Sequence, residues 1–375
     1  MGKKMSRRAF VLTGASAAGM TASMQSSAFG RAPAIQISNV KPLVIASGNG
    51  YGFTNGGPVS CVEKAFDMIT NGEDVLDSLI AGVTINELDP EDGGVGYGGA
   101  PNADGVVQLD SCCMHGPEKR AGGIGALEGV KTAAAVARAV MDNTDHHLLA
   151  GQGAQTFARN MGFEILDDLN TDRSRERWLE WKRRTDPGHY LDPAKRAALG
   201  YDVGLQMLAE GLIAEEDFFG TINCDGINSR GEICGVTTSS GLAWKIAGRV
   251  SDASVLGTGL YVDGDVGAAG STGRGEANLY GLTSFLIVEN MRRGMHPKDA
   301  GMEGLQRIKA NTIDKRLLNS RGEPSFGINF YILNAKGEYA GVSMYASGSS
   351  RYAVCTENGP EHIPLEPLLS GLPTD

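Results

Sequence analysis

Two runs of short strands, each accompanied by helix-patterned segments, pass through this chain, and that order leaves few ways to close a core. The first run opens with an apolar strand at 41–47, followed by helices over 58–71 and 74–88. The first of these puts Val62, Ala65, Phe66 and Ile69 on one face; Asp74 caps the second, which turns Leu76, Leu79, Ile80 and Val83 inward. A strand at 106–113 and helices at 127–142 and 147–161 complete that half. The second run has strands at 221–227, 232–238, about 255–262, 327–334 and 338–345, with helices at 276–293 and 297–311. Helices flanking two sets of strands predict layers in the order α/β/β/α. Between 167 and 219 the pattern loosens into a charged stretch that reads as a poorly packed connection with one or two surface helices. Glycine, 53 of 375 residues, is about twice its usual share and without a repeat, which calls for tight turns and close backbone approaches.

The first 28 residues read as an export signal. Arg7-Arg8 precede Ala-Phe-Val and a mildly apolar run of small residues, with a small-residue cleavage site near Ala28, the pattern of a twin-arginine leader. The expected destination is the periplasm, with no membrane anchor left in the mature chain, because the apolar run is short and interrupted. Cleavage there removes four basic residues and no acidic one, taking the net charge from −10 to −14. A chain that acidic, without a basic cluster, is a poor partner for nucleic acid. The cysteines at 61, 112, 113, 224, 234 and 355 show no CxxC spacing and read as buried thiols.

Familiar catalytic motifs do not fit. "GVGYGG" matches GxGxxG at Gly94, Gly96 and Gly99 but follows Asp-Pro-Glu-Asp rather than a strand, so it reads as a loop. Asp145-His146-His147 has no further ligand at metal spacing, and a helix start capped by Thr144 or Asp145 accounts for it better. No cofactor or metal is expected. The histidines are scattered, so a serine or cysteine nucleophile lacks an evident base.

Thr221 offers another route. It opens a strand directly after Gly220, at the end of the loose segment. An N-terminal threonine carries its own base, the α-amine, whose reference pKa of about 7.7–8.0 leaves an appreciable neutral fraction. The chain would have to be cut before Thr221, and Gly220 can adopt the backbone that brings the hydroxyl onto the preceding carbonyl. On these residues alone an ordinary strand-initial threonine stays open.

The segment "TINCDGINSRGEICGVTTSSGLAWKIAGRVSDASVLGTGLYVDGDVGAAGSTGRGE" combines that threonine with T-[ST]-[ST]-x-G, G-R-V-x-D-[AS] and A-x-x-T-G-x-G-E in ungapped order. It resembles the glycosylasparaginases of the N-terminal-nucleophile (Ntn) asparaginase superfamily; "GGVGYGGAPN", "HHLLAGQGAQTFARNMGF" and "FLIVENMRRGMHP" extend the likeness. The resemblance implies a four-layer α/β/β/α sandwich, cut at Gly220-Thr221 into an alpha subunit (29–220) and a beta subunit (221–375) that assemble as an (αβ)2 heterotetramer. It implies a small asparagine-type substrate, hydrolysed at its side-chain amide. Thr221 is then the nucleophile and Ser239 the hydroxyl bonded to it. Arg249 grips the substrate α-carboxylate and Asp252 its α-ammonium, with Val250 and Ser251 between them. Thr272 and Gly273 form the oxyanion hole, beside Arg274 and Gly275.

This chain departs from the family pattern at four places. Ser239 stands where relatives carry threonine. Phe219-Gly220 precede the cut in place of His-Asp, and Gly-Thr is the pattern of the asparaginase/isoaspartyl peptidase branch. "ASGNGYGFTNGG" lacks the tryptophan usual at the site mouth, and Arg274 replaces a smaller or neutral residue. The leaving group is therefore open between a sugar amine, ammonia and an amino acid. A non-enzymatic alternative is an uncleaved amino-acid-binding protein.

Overall fold

The computed structural model describes residues 40–189, 193–348 and 350–375; the expected leader at 1–28 lies outside them. Thirteen strands among the described residues form two sheets. The larger runs in the order β12-β11-β1-β5-β6-β2-β3-β4: Gly359–Pro364, Arg351–Thr356, Leu43–Ser47, Phe219–Ile227, Ile233–Leu242, Leu109–His115, Arg120–Leu127 and Leu148–Ala150. The smaller runs β13-β10-β9-β8-β7: Glu366–Leu369, Tyr339–Tyr345, Ile328–Asn334, Gly267–Gly273 and Leu260–Asp263.

Side-chain alternation sorts the strands' residues into layers. On β1, Leu43 and Ile45 face the space between the sheets, where they meet Leu260, Val262 and Leu333. Val44 and Ala46 face outward onto helix α2 (Cys61–Thr70), in the layer that also holds α3 (Val75–Leu88) and α4 (Ala133–Asn143). On β9, Tyr331 and Leu333 point between the sheets while Phe330 and Ile332 pack on α10 (Thr283–Arg292) and α11 (Pro297–Asn311). The order is α/β/β/α, as expected. The helix starts follow their caps: Ser60 and Glu63 form a capping box on α2, and Asp74 accepts the Asp77 N–H at 3.0 Å on α3.

Several segments differ from the sequence expectation. The helix expected over 127–142 begins at Ala133, because 120–127 is β3; its glycines let α4 lie on the sheet, and a Cβ on Gly122 would meet Ala137 O at 2.2 Å. Thr144 closes α4 rather than opening a helix, and β4 precedes α5 (Gly151–Asn160). The 276–293 helix is broken at Leu282, where φ is +46°, into α9 (Gly275–Gly281) and α10. Strands β8 and β11 to β13 were not expected; β8 is "GAAGSTG", which has neither apolar alternation nor β-branched bulk.

The 167–219 segment is a packed unit, not a loose connection. It holds α6 (Asp172–His189), α7 (Pro193–Ala209) and the short α8 (Glu215–Phe218), joined by a core of Trp181, Val203, Met207 and Phe218. Trp181 stacks on Trp244, just past the end of β6, at 5.7 Å, and Arg177 bonds Asp217 at 2.6 Å. The apolar positions here serve a local aromatic cluster instead of the main core, so no long amphipathic stripe marks them. No helix among the described residues is long and apolar enough to cross a membrane. The six cysteines are all buried free thiols.

Candidate active site

The Gly220–Thr221 bond lies inside β5, not in a loop. Gly220 pairs with Gly241 of β6, but Thr221 pairs with Ser239, so Ser240 is the extra residue of a β-bulge. The bulge sets the Thr221 and Ser239 side chains side by side. Thr221 Oγ1 lies 2.9 Å from Ser239 Oγ and 2.8 Å from Gly220 O, and Ser239 Oγ donates to the same carbonyl at 2.6 Å. Gly241 N–H donates to Ser239 Oγ at 2.8 Å. A hydroxyl has one proton, so a consistent chain runs from Thr221 O–H to Ser239 and from Ser239 O–H to Gly220 O. That chain leads from the Thr221 hydroxyl to the carbonyl of the preceding residue.

Gly220 is glycine for room. Its φ lies outside the left-handed region, but a Cβ there would sit 2.2 Å from Gly94 Cα. The GxGxxG match is a loop, as expected, and its work is to back this bond: Gly94 O accepts both the N–H and the hydroxyl of Ser240 at 2.9 Å.

On the carbonyl side of Thr221 the structure adds residues that the sequence did not single out. Asn49 Nδ2 donates to Thr221 O at 3.3 Å and to Asp92 Oδ2 at 3.1 Å; Asn86 holds the same carboxylate at 2.8 Å. Burial raises Asp92 to about 7 against these hydrogen bonds. Glu87, also pushed up to about 7 by burial, accepts from Thr238 Oγ1 at 2.7 Å and from the first turn of α4. These acids sit among the apolar-patterned residues of α3 and in the glycine loop. Only the polar interruptions in "INELDPEDGG" hinted at them.

The second sheet supplies the rest. Gly270 faces Asn223 so closely that a Cβ would lie 1.9 Å from Nδ2, and Thr237 Oγ1 reaches Gly259 O at 3.3 Å. Gly235 lies against Leu260 and Val262, so the path from Gly235 to Ser239 on β6 follows Ala268 to Gly273 on β8. Thr272 and Gly273 thus share the end of the inter-sheet space that holds Thr221. Thr272 Oγ1 is set by Tyr331 Oη at 2.8 Å and by Asn329 at 3.2 Å. Gly273 has φ +109°, and a Cβ would meet Gly327 O at 2.6 Å, so only glycine serves.

Arg249 Nε and Nη2 both bond Glu276 Oε1, at 2.9 and 2.8 Å, while Nη1 is buried and without an acceptor among the described residues. Burial raises the Glu276 acid, but Arg249 outweighs it and holds the group below its usual value. Asp252 Oδ2 accepts from Ser271 Oγ at 2.8 Å and Asn278 Nδ2 at 2.9 Å; Oδ1 faces Gly275, where a Cβ would come within 2.3 Å. Burial raises Asp252, opposed by those bonds and by Arg249. Val250 packs on Gly125, and buried Ser251 donates its N–H to Asp110 at 2.9 Å, so these two build the loop that carries Arg249 and Asp252. Arg274 stands apart: its guanidinium lies 5.3 Å from the Tyr201 ring and 5.6 Å from Phe326, with Nε buried and without a partner among the described residues. No cluster of three metal-ligating side chains occurs among the described residues.

A hydroxyl pair on one carbonyl, a cation–carboxylate couple and the Thr272–Gly273 strand end are set on the layers of an Ntn-hydrolase fold, the layout of an amide hydrolase. A family profile described as Asparaginase matches residues 57–327. The N(4)-(β-N-acetylglucosaminyl)-L-asparaginase of Elizabethkingia miricola is 33% identical over 301 residues, covering 80% of this chain and 77% of the relative. Its Mus musculus namesake is 33% identical, covering 74% and 80%. A probable isoaspartyl peptidase/L-asparaginase 3 of Arabidopsis thaliana is 30% identical, covering 67% and 75%. The chain belongs to the asparaginase family, among the glycosylasparaginases.

Proposed function

We propose that the chain cuts itself between Gly220 and Thr221 and that the freed Thr221 hydrolyses the side-chain amide of an N4-substituted asparagine such as GlcNAc-asparagine. The observation that carries this reading is the convergence of Thr221 Oγ1 and Ser239 Oγ on Gly220 O, at 2.8 and 2.6 Å. In the cut, Oγ1 bonds the Gly220 carbonyl carbon, the C–N bond breaks, and the nitrogen of Thr221 takes up the proton. Water then splits the resulting ester, leaving a Gly220 carboxylate and a Thr221 amine. In turnover that amine accepts the Oγ1 proton as the hydroxyl attacks the substrate amide. Thr272 O–H and Gly273 N–H receive the developing oxyanion. The leaving amine departs with the proton, and water releases aspartate from the β-aspartyl ester. Arg249 Nη1 and Asp252 Oδ1 hold the carboxylate and ammonium of the amino-acid end.

The leaving group has a second reading. Phe219-Gly220 before the cut, the Gly-Thr pattern of the asparaginase/isoaspartyl peptidase branch, favours ammonia or an amino acid, the products of asparaginase or β-aspartyl peptidase chemistry. Hydrolysis rates for GlcNAc-asparagine, asparagine and β-aspartyl dipeptides decide between them. The first reading expects kcat/KM highest for GlcNAc-asparagine; a clear preference for a β-aspartyl dipeptide overturns it. The proposal includes subunits of residues 29–220 and 221–375, paired as (αβ)2, and export through Arg7-Arg8. Changing Arg7-Arg8→Lys-Lys is expected to hold the precursor in the cytoplasm. An unchanged periplasmic yield would refute the twin-arginine route.

A further inference from the structure

Lys245 is buried, 4% exposed, although it lies only five residues beyond the bulge at Ser240. A turn from Leu242 to Lys245, closed by Lys245 N–H to Leu242 O at 3.2 Å, carries Trp244 with φ +58° at its third position. From that turn Lys245 Nζ reaches Ser240 O at 2.7 Å and Gln108 O at 2.6 Å. No carboxylate lies within ion-pair distance of Nζ among the described residues. A buried ammonium held only by carbonyls is costly, and it is retained where its charge or its grip is used.

We propose that Lys245 is a positioning residue for the amino-acid end of the substrate: its ammonium fixes the bulge carbonyl and holds positive charge beside Arg249 for an incoming α-carboxylate. Gly241 ties the two cations together. A Cβ on Gly241 would sit 2.8 Å from Lys245 Nζ and 2.9 Å from Arg249 Nη1, the one guanidinium nitrogen without an acceptor. The same Gly241 donates its N–H to Ser239 Oγ. Gln108 braces the other side, taking the Gly248 N–H on Oε1 at 2.9 Å, directly before Arg249. The two cations repel each other, and Glu276 meets Arg249 only through Nε and Nη2, so a carboxylate bound at Nη1 relieves repulsion as well as forming hydrogen bonds. Burial lowers the Lys245 pKa to about 8, with Asp110 opposing and Arg249 adding to the shift, so the ammonium is still mostly charged at neutral pH.

This inference rests on the aspartyl-type substrate reading, and its test separates the two. Steady-state kinetics are measured for processed wild type and Lys245→Met on an N4-substituted asparagine and on its α-carboxamide analogue. Lys245→Met is expected to raise KM for the acid about tenfold, leaving kcat within about twofold and the carboxamide nearly unaffected. Lys245→Arg should keep most of the acid preference. An equal loss on both substrates, or an acid preference that survives in Lys245→Met, overturns the role of Lys245 alone. A wild type with no acid preference overturns the substrate reading itself. If Lys245→Met yields no folded protein, Lys245→Gln, which keeps a donor for one carbonyl, is read by the same criterion.

Discussion

Replacing Thr221 by alanine leaves a single uncut chain without hydrolase activity. In the proposed mechanism the attacking hydroxyl of the cut and the nucleophile of turnover are one atom, Oγ1, which lies 2.8 Å from Gly220 O. Loss of a covalent nucleophile costs about 10⁴-fold or more in kcat elsewhere, and here the α-amine base is also never released. The fold should survive, since Thr221 is only partly buried and the β5–β6 ladder does not use its side chain. Electrophoresis under denaturing conditions reads the result. Two fragments from Thr221→Ala would end the mechanism. Thr221→Ser keeps a hydroxyl on the same carbonyl and should still cut, more slowly.

Arg249→Ala is expected to give the next largest effect. It removes a charge-assisted contact between a mostly buried guanidinium and the substrate carboxylate, a loss of about 2–5 kcal/mol by comparison with truncated buried charge pairs. That corresponds to about 30-fold to several thousand-fold in kcat/KM. The cut should proceed, because the precursor presents no free carboxylate at that point. The loss should fall on the acid substrate and spare the α-carboxamide analogue. Equal losses on both would mean that Arg249 does not read the carboxylate.

The four layers were legible because β1, β5, β9 and the helices around them keep clean alternation or a clean apolar face. β8 was not, since "GAAGSTG" is selected for closeness: Gly270 makes room for Asn223 and Gly273 for Gly327 O. The packing of the helices of 172–209 escaped because their buried residues serve Trp181, Phe218 and Trp244 rather than the main core. Thr221, Ser239, Arg249, Asp252 and Thr272 stood in ordered motifs and could be named. Asn49, Glu87, Asp92 and Lys245 could not, because each acts through a partner far away in sequence. Gly220 was read as conformational freedom, whereas the structure uses it for the approach of Gly94. A sequence shows that a side chain is missing there; only the fold shows what occupies the space.

The most direct measurement is N-terminal sequencing of the purified, active protein, joined to intact mass. The account predicts two chains, the smaller beginning Thr-Ile-Asn-Cys at Thr221, with activity appearing in step with that new terminus. An active protein that remains one continuous chain through Gly220-Thr221, or one cut at any other bond, would contradict it.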